Sequence, residues 1–255
     1  MKVRVLGCSG GIGGRHLRTT AMLVDHDILI DAGTGIADLS IAELAAIDHV
    51  FLTHSHLDHV VGLPLMLDSV TDSRTKPVTV YGTSETLSTL REHIFNWDIW
   101  PDFSTISVGA APAMEYKPIR VGQPLQFGSR IITPVPAEHS VPAVGYHLDS
   151  GAGSLVFTGD TTVNDAFWRL LNTIANLRYL IVETAFSNRE ERMAAVSKHL
   201  CPNMLGRELR KLTVSPRIYI SHLKPGQVEL IMGEIEQCAG ELKPEMLQNN
   251  QVFEF

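Results

Sequence analysis

Short apolar runs rich in valine, isoleucine and aromatic side chains recur along the chain, separated by polar turns. They predict strands at Val3–Leu6, Met22–Val24, Ile28–Ile30, His49–Leu52, Val78–Tyr81 and Met114–Val121. Further strands are predicted at Arg130–Ala137, Val144–Leu148, Ser154–Phe157, Tyr179–Val182 and Arg217–Ile220, with an edge strand at Val252–Phe255. Apolar residues at helical spacing predict helices at Ile41–Ile47, Ser84–Phe95, Asp165–Ala175, Arg189–Val196, Asn203–Lys211 and Val228–Cys238. Thr83 or Ser84 supplies an N-cap, and Pro202 opens the helix it precedes. Leucine, valine and Pro64 after Asp58 read as one more helix start. Strands and helices alternate without repeat, low-complexity tract or linker, so an α/β fold in a single domain over residues 1–255 is expected.

At 255 residues with 44% hydrophobic content, the chain can bury a substantial core. Its net charge of −7 argues against a large nucleic-acid-binding surface. No apolar run reaches membrane-spanning length, and Met1–Gly7 is no signal peptide. Cys8, Cys201 and Cys238 are odd in number, far apart and without a CxxC partner. Reduced thiols and a cytoplasmic location are the expectation.

The chemistry concentrates in Thr53-His54-Ser55-His56-Leu57-Asp58-His59, directly after the strand His49–Leu52. Two residues apart in extended chain, His54 and His56 point to one side. Asp58 and His59 follow where the chain turns. Such a cluster of imidazole and carboxylate suits zinc, iron or manganese. Partners come from other strand ends. His139 follows Arg130–Ala137 and is preferred to His147, which lies within a strand; Asp160 follows Ser154–Phe157, and His222 follows Arg217–Ile220. A carboxylate such as Asp160 can bridge two cations. Asp31, at another strand end, is expected to bond backbone or orient a ligand histidine instead of binding metal.

Two stretches invite other readings. Gly7-xxx-Gly11-x-Gly13 after a strand resembles the phosphate loop of short-chain dehydrogenases. Arg15–Thr20 lacks a helical apolar face, however, and no Tyr-xxx-Lys pair occurs, so a glycine-rich connection between two strands is expected. Arg15, Arg18 and Lys224 are candidates for phosphate contacts. The aromatic stretch Trp97–Phe103 is either a flap over the core or an exposed wall for a ring or a dimer contact.

Taken in order, His54-x-His56-x-Asp58-His59, His139, Asp160 and His222 resemble the ligand series of the metallo-β-lactamase superfamily across nearly the whole chain. That resemblance implies an αββα four-layer sandwich of two mixed sheets with a dinuclear site at one edge. It implies one cation held by His54, His56 and His139, a second by Asp58, His59 and His222, and Asp160 between them. His54–Leu63 is further similar to class II cyclic-nucleotide phosphodiesterases, with Pro64 where those prefer an aliphatic residue. Glu183-Thr184-Ala185-Phe186 and His199 resemble the Glu and His motifs of phosphodiesterase-type members, transfer-RNA 3′-processing endonucleases among them.

The activity so implied is hydrolysis of cyclic AMP or cyclic GMP to the 5′-monophosphate by hydroxide on a pair of divalent cations, zinc first among the candidates. His199 would protonate the leaving oxygen, oriented by Glu183, and Asp58 stands in both the catalytic and the ligand sets. Alternatives are an RNA 3′-end nuclease, a thioester or lactone hydrolase, or a metal-binding or sensing protein without turnover. The expected partner is a small nucleotide substrate, with no membrane and no large nucleic acid; a homodimer is the default from symmetry frequencies.

Overall fold

Central strands such as Ala21–Val24 and Ile28–Ile30 are apolar along their whole length because both faces are covered. In the computed structural model, which describes residues 1–14 and 16–255, the strands form two seven-stranded mixed sheets. The first contains β1 (Lys2–Gly7), β2 (Ala21–Val24), β3 (Ile28–Ile30), β4 (His49–Phe51) and β5 (Val78–Gly82). A small hairpin, β6 (Ser107–Val108) and β7 (Ala111–Pro112), precedes β8 (Met114–Pro118), the far edge of that sheet. The second sheet contains β9 (Leu125–Phe127), β10 (Arg130–Pro136), β11 (Val144–Asp149), β12 (Ser154–Phe157), β13 (Leu177–Glu183), β14 (Arg217–Ser221) and β15 (Glu245–Met246). The last strand, β16 (Val252–Glu254), returns to pair with β1.

Each sheet is half antiparallel and half parallel. In the first, β3, β4, β5 and β8 run parallel; in the second, β12 to β15 do. Alternate side chains of one strand serve two cores. Ile28 and Ile30 of β3 and Phe51 of β4 enter the layer between the sheets, where they meet Tyr146, Phe157, Ile181 and Tyr219. Leu29 and Val50 point outward to α1 (Ile41–Ala46) and α3 (Gly62–Val70). In the second sheet Leu180, Val182, Ile218 and Ile220 face α5 (Asp165–Leu171), α7 (Pro202–Leu209) and α8 (Val228–Ala239). The result is the expected αββα sandwich. Among the described residues, no helix is long and apolar enough to cross a membrane.

Local chemistry sets the helix starts. Ser40 and Glu43 form a capping box on α1, Thr83 caps α4 (Ser84–His93), Asn164 caps α5, and Pro202 opens α7. Pro64 lies in the first turn of α3, where no amide donor is needed, so the helix accepts it. Several predicted elements stop early: α4 at His93 and not Phe95, α5 at Leu171, and β8 at Pro118. The Trp97–Phe103 stretch divides between its two readings. Phe103 is buried against Phe95 and Trp100 packs on the core, while Trp97 and Ile99 are each 64% exposed. Ile99 and Trp100 line one side of a cleft of about 190 Å³, opposite Leu57, Val61 and Leu65.

Candidate metal centre

Where parallel strands end, backbone pairing stops and side chains are free to converge. β4 delivers Thr53 and His54; α2 (Leu57–Val60) then begins with His56 at its N-cap, so the chain turns back and Asp58 and His59 face the same space. β10 delivers His139, β12 Asp160, β13 Glu183 and β14 His222. Two of these ends are shaped by unusual backbone. Asp31 (φ 55°) and His222 (φ 60°) are left-handed without being glycine, a conformation held only by firm surroundings. His222 donates its amide to the Cys8 carbonyl at 2.7 Å, and Gly10 donates to Leu223 at 3.0 Å. A Cβ on Gly10 would lie 2.4 Å from the His222 carbonyl oxygen, so the glycine-rich stretch is a seat for His222. Arg15 lies outside the described residues, and Arg18 is paired with Asp38.

The predicted residues come together in two joined groups. His54, His56 and His139 form one; Asp58, His59, Asp160 and His222 form the other. Asp160 has one oxygen 3.3 Å from His59 Nε2 and 3.7 Å from His54 Nε2, and the other 3.2 Å from His222 Nδ1. Asp58 is less enclosed, 3.7 Å from His59 and 3.8 Å from His222. His147 lies mid-strand in β11, paired with Thr133 and Val156, and joins neither group.

A network behind the cluster fixes the rings. The buried Asp31 accepts from the Thr53 amide at 2.7 Å and the Thr53 hydroxyl at 2.8 Å. Its second oxygen also takes His59 Nδ1–H at 2.7 Å, as expected for an orienting carboxylate. With its hydrogen spent on Asp31, the Thr53 oxygen accepts from His54 Nδ1 at 3.0 Å. His139 Nδ1 donates to the Lys198 carbonyl at 3.0 Å. These bonds occupy Nδ1, so that His54, His59 and His139 each turn Nε2 into the cluster. Thr53 and the Lys198 carbonyl had no recognisable signal as residue types in the sequence.

The electrostatics suit cations. Burial works against a charge on Asp160, yet His222, His59 and His54 hold its pKa well below the ordinary carboxylate value. Burial also opposes a charge on His59, but Asp160 and Asp31 raise its pKa well above the usual histidine value. His222 is pushed down to about 4 by burial. Among the described residues, His54 Nε2, His59 Nε2 and His222 Nδ1 are buried without a hydrogen-bond partner. Buried ring nitrogens left bare around a shared carboxylate are donors for metal, so the residues fit a divalent-cation pair.

A model of the beta-lactamase superfamily domain matches residues 26–233. The chain belongs to the metallo-β-lactamase superfamily. It is 28% identical to a probable 3′,5′-cyclic-nucleotide phosphodiesterase of Yersinia pestis, over 92% of this chain and 83% of that protein. A ribonuclease Z of Clostridium beijerinckii is 36% identical over 105 residues, 37% of this chain and 34% of that one. In fold, the structure of unliganded yeast PDE1 superposes with a TM-score of 0.79 at 17% identity, covering 98% of both chains. The chain is thus a metallo-β-lactamase-fold hydrolase, and this family implies divalent metal ions.

Beside the cluster of this hydrolase stands a second device. Glu183, wholly buried, accepts from His199 Nδ1 at 2.8 Å and from the amides of Thr161 at 3.1 Å and Leu200 at 3.3 Å. Burial disfavours a charge on His199, but the Glu183 carboxylate raises its pKa above the ordinary value. The His199 ring centroid is 4.8 Å from that of His139 and 5.1 Å from that of His222, and His199 groups with His139 and Asp160. A buried histidine, oriented by a carboxylate, therefore borders the candidate metal centre.

Proposed function

We propose that the chain hydrolyses 3′,5′-cyclic nucleotides to 5′-monophosphates. The observation that carries this reading is the Glu183–His199 pair at the edge of the cation cluster. Expulsion of a ribose 3′-oxygen needs a proton, whereas the thiolate released in thioester hydrolysis does not. In this proposal His54, His56 and His139 hold one cation, Asp58, His59 and His222 the other, and Asp160 faces both. When bound, such a pair supplies Lewis acidity that makes water nucleophilic at neutral pH and offsets phosphoryl charge. Glu183 fixes the His199 tautomer through Nδ1, leaving Nε2–H to protonate the departing 3′-oxygen. Asp31 and Thr53 hold the His59 and His54 rings so that bare nitrogens face the cations. Zinc is the first candidate, with iron and manganese also suited to this donor set. The phosphodiesterase name of the Yersinia pestis relative supports the same substrate class.

The ribonuclease Z similarity favours a second reading, cleavage at RNA 3′ ends. A net charge of −7 weighs against it. Turnover of cyclic AMP, cyclic GMP and a short 3′-extended RNA by the cation-loaded protein, followed by chromatography, separates the two. Cyclic-nucleotide hydrolysis with little RNA cleavage is expected, and the reverse preference would sink the proposal.

A further inference from the structure

Cationic side chains around the cluster are mostly spoken for. Lys198 pairs with Glu138 and Arg18 with Asp38. Lys224 differs: it is half-buried, and among the described residues no carboxylate lies within ion-pair distance of its ammonium. Instead the ammonium lies over the face of Phe186, 5.4 Å from the ring centroid. Phe186 in turn meets His199 edge-on, with centroids 5.7 Å apart. Lys224 and Phe186 follow the parallel neighbours β14 and β13, so both project from the strand ends that carry His222 and Glu183.

The backbone beneath Lys224 is held on both sides. Leu223 is bonded to Gly10 and Ser9, Pro225 confines Lys224 to extended conformations, and the Lys224 carbonyl accepts from Gln227 at 3.2 Å. From that backbone the aliphatic stem leads to the aromatic face beside His199. In an acidic chain, a half-buried cation without a carboxylate lacks its counter-charge. A substrate anion would supply one.

We infer that Lys224, positioned by the Phe186 ring, binds a non-bridging oxygen of the substrate phosphoryl group at the His199 side of the cation cluster. This deepens the phosphodiesterase reading and rests on it for the identity of the anion. Lys224 then selects phosphoryl anions over neutral esters, which have no charge to offer it. Phe186 is a positioning residue: it touches the lysine and not the reacting atoms.

The test is inorganic phosphate binding to the cation-loaded full chain by isothermal titration, with metal content checked. Lys224→Met should weaken phosphate by roughly tenfold or more, the loss of one charge-assisted hydrogen bond, with cations retained. Lys224→Arg should recover most of it. Phe186→Leu should lose about two- to fivefold, the scale of a cation–π contact at a partly exposed site. Lys2→Met, at the far end of β1 from Cys8, should bind as the parent does. If Lys224→Met alters metal content, Lys224→Gln is read in its place. Phosphate affinity unchanged in the cation-loaded variant, or equally reduced by Lys2→Met, overturns the inference. Absence of cyclic-nucleotide turnover together with Lys224-dependent phosphate binding would sink the substrate proposal alone.

Discussion

The strands β3 and β10 belong to different sheets and carry a polar cluster at each end. At the end where both begin, Arg130 places two nitrogens on Asp27 at 2.5 and 2.7 Å and reaches Asp25 at 3.1 Å. Hydrogen bonds from Arg130 hold Asp27 below the ordinary carboxylate pKa, and the guanidinium is raised in return. At the end where both finish stand Asp31 and His139, within the histidine cluster. There burial raises the pKa of Asp31, and among the described residues of that cluster three ring nitrogens lack a hydrogen-bond partner. The first cluster is closed: each charge finds its opposite within the chain. The second is open, because its donors match something the chain does not supply. Burial of polar groups is common to both; only the unmet demand distinguishes a site for cations from a structural clasp.

Removing the centre of the open cluster has the largest expected effect. Asp160→Ala leaves His54, His59 and His222 without the carboxylate they share, so at least one of the two cations should be lost and hydrolysis abolished. Elemental analysis of the purified variant measures this, and full cation retention would remove Asp160 from its proposed position. His199→Ala is next in size. It leaves the cluster intact, and kcat on cyclic nucleotides should fall by roughly 10²–10⁴-fold. A p-nitrophenolate leaving group needs little protonation, so turnover of bis-p-nitrophenyl phosphate should fall far less. Equal losses on both substrates would make His199 a structural residue.

The same contrast explains what was legible in the sequence. His54, His56, Asp58, His59, His139, Asp160 and His222 each stand just after an apolar run, and a strand buried on both faces makes that run continuous. Their convergence follows from parallel strands ending at one edge. Asp31 reads as an orienting carboxylate for the same reason, and it bonds both backbone and a ligand-type histidine. Less visible were groups whose role has no residue-type signal. The Lys198 carbonyl reaches His139 because Lys198 itself adopts a left-handed cap at φ 54°, which no glycine marks. The edge strands β9 and β15 span too few residues to establish a periodicity, and their pairing is decided by neighbours distant in sequence. The closed clasp was also missed. Asp25-His26-Asp27 reads as a turn, and only the meeting of the two sheets brings Arg130 to it.

The clasp allows a smaller effect of opposite kind. Arg130→Met should leave hydrolysis and cation content unchanged, since Arg130 lies at the other end of the strand that leads to His139. It should cost stability, because Asp27 would keep its burial and lose a bidentate partner. Solvent screens part of the pair, whose side chains are each 17% exposed, so about 1–2 kcal/mol is expected. The pH dependence has a definite sign. Asp27 has a lowered pKa when folded, so its contribution is fully present above the unfolded value of about 4. It disappears as pH falls through the folded value, where both states hold the proton. The gap in Tm between parent and variant should therefore be widest near neutrality and narrow in acid, while the cation cluster fails there for its own reason, protonation of its histidines. A gap that stayed constant from neutral to acidic pH would show that Arg130 acts through packing of its stem and not through its charge.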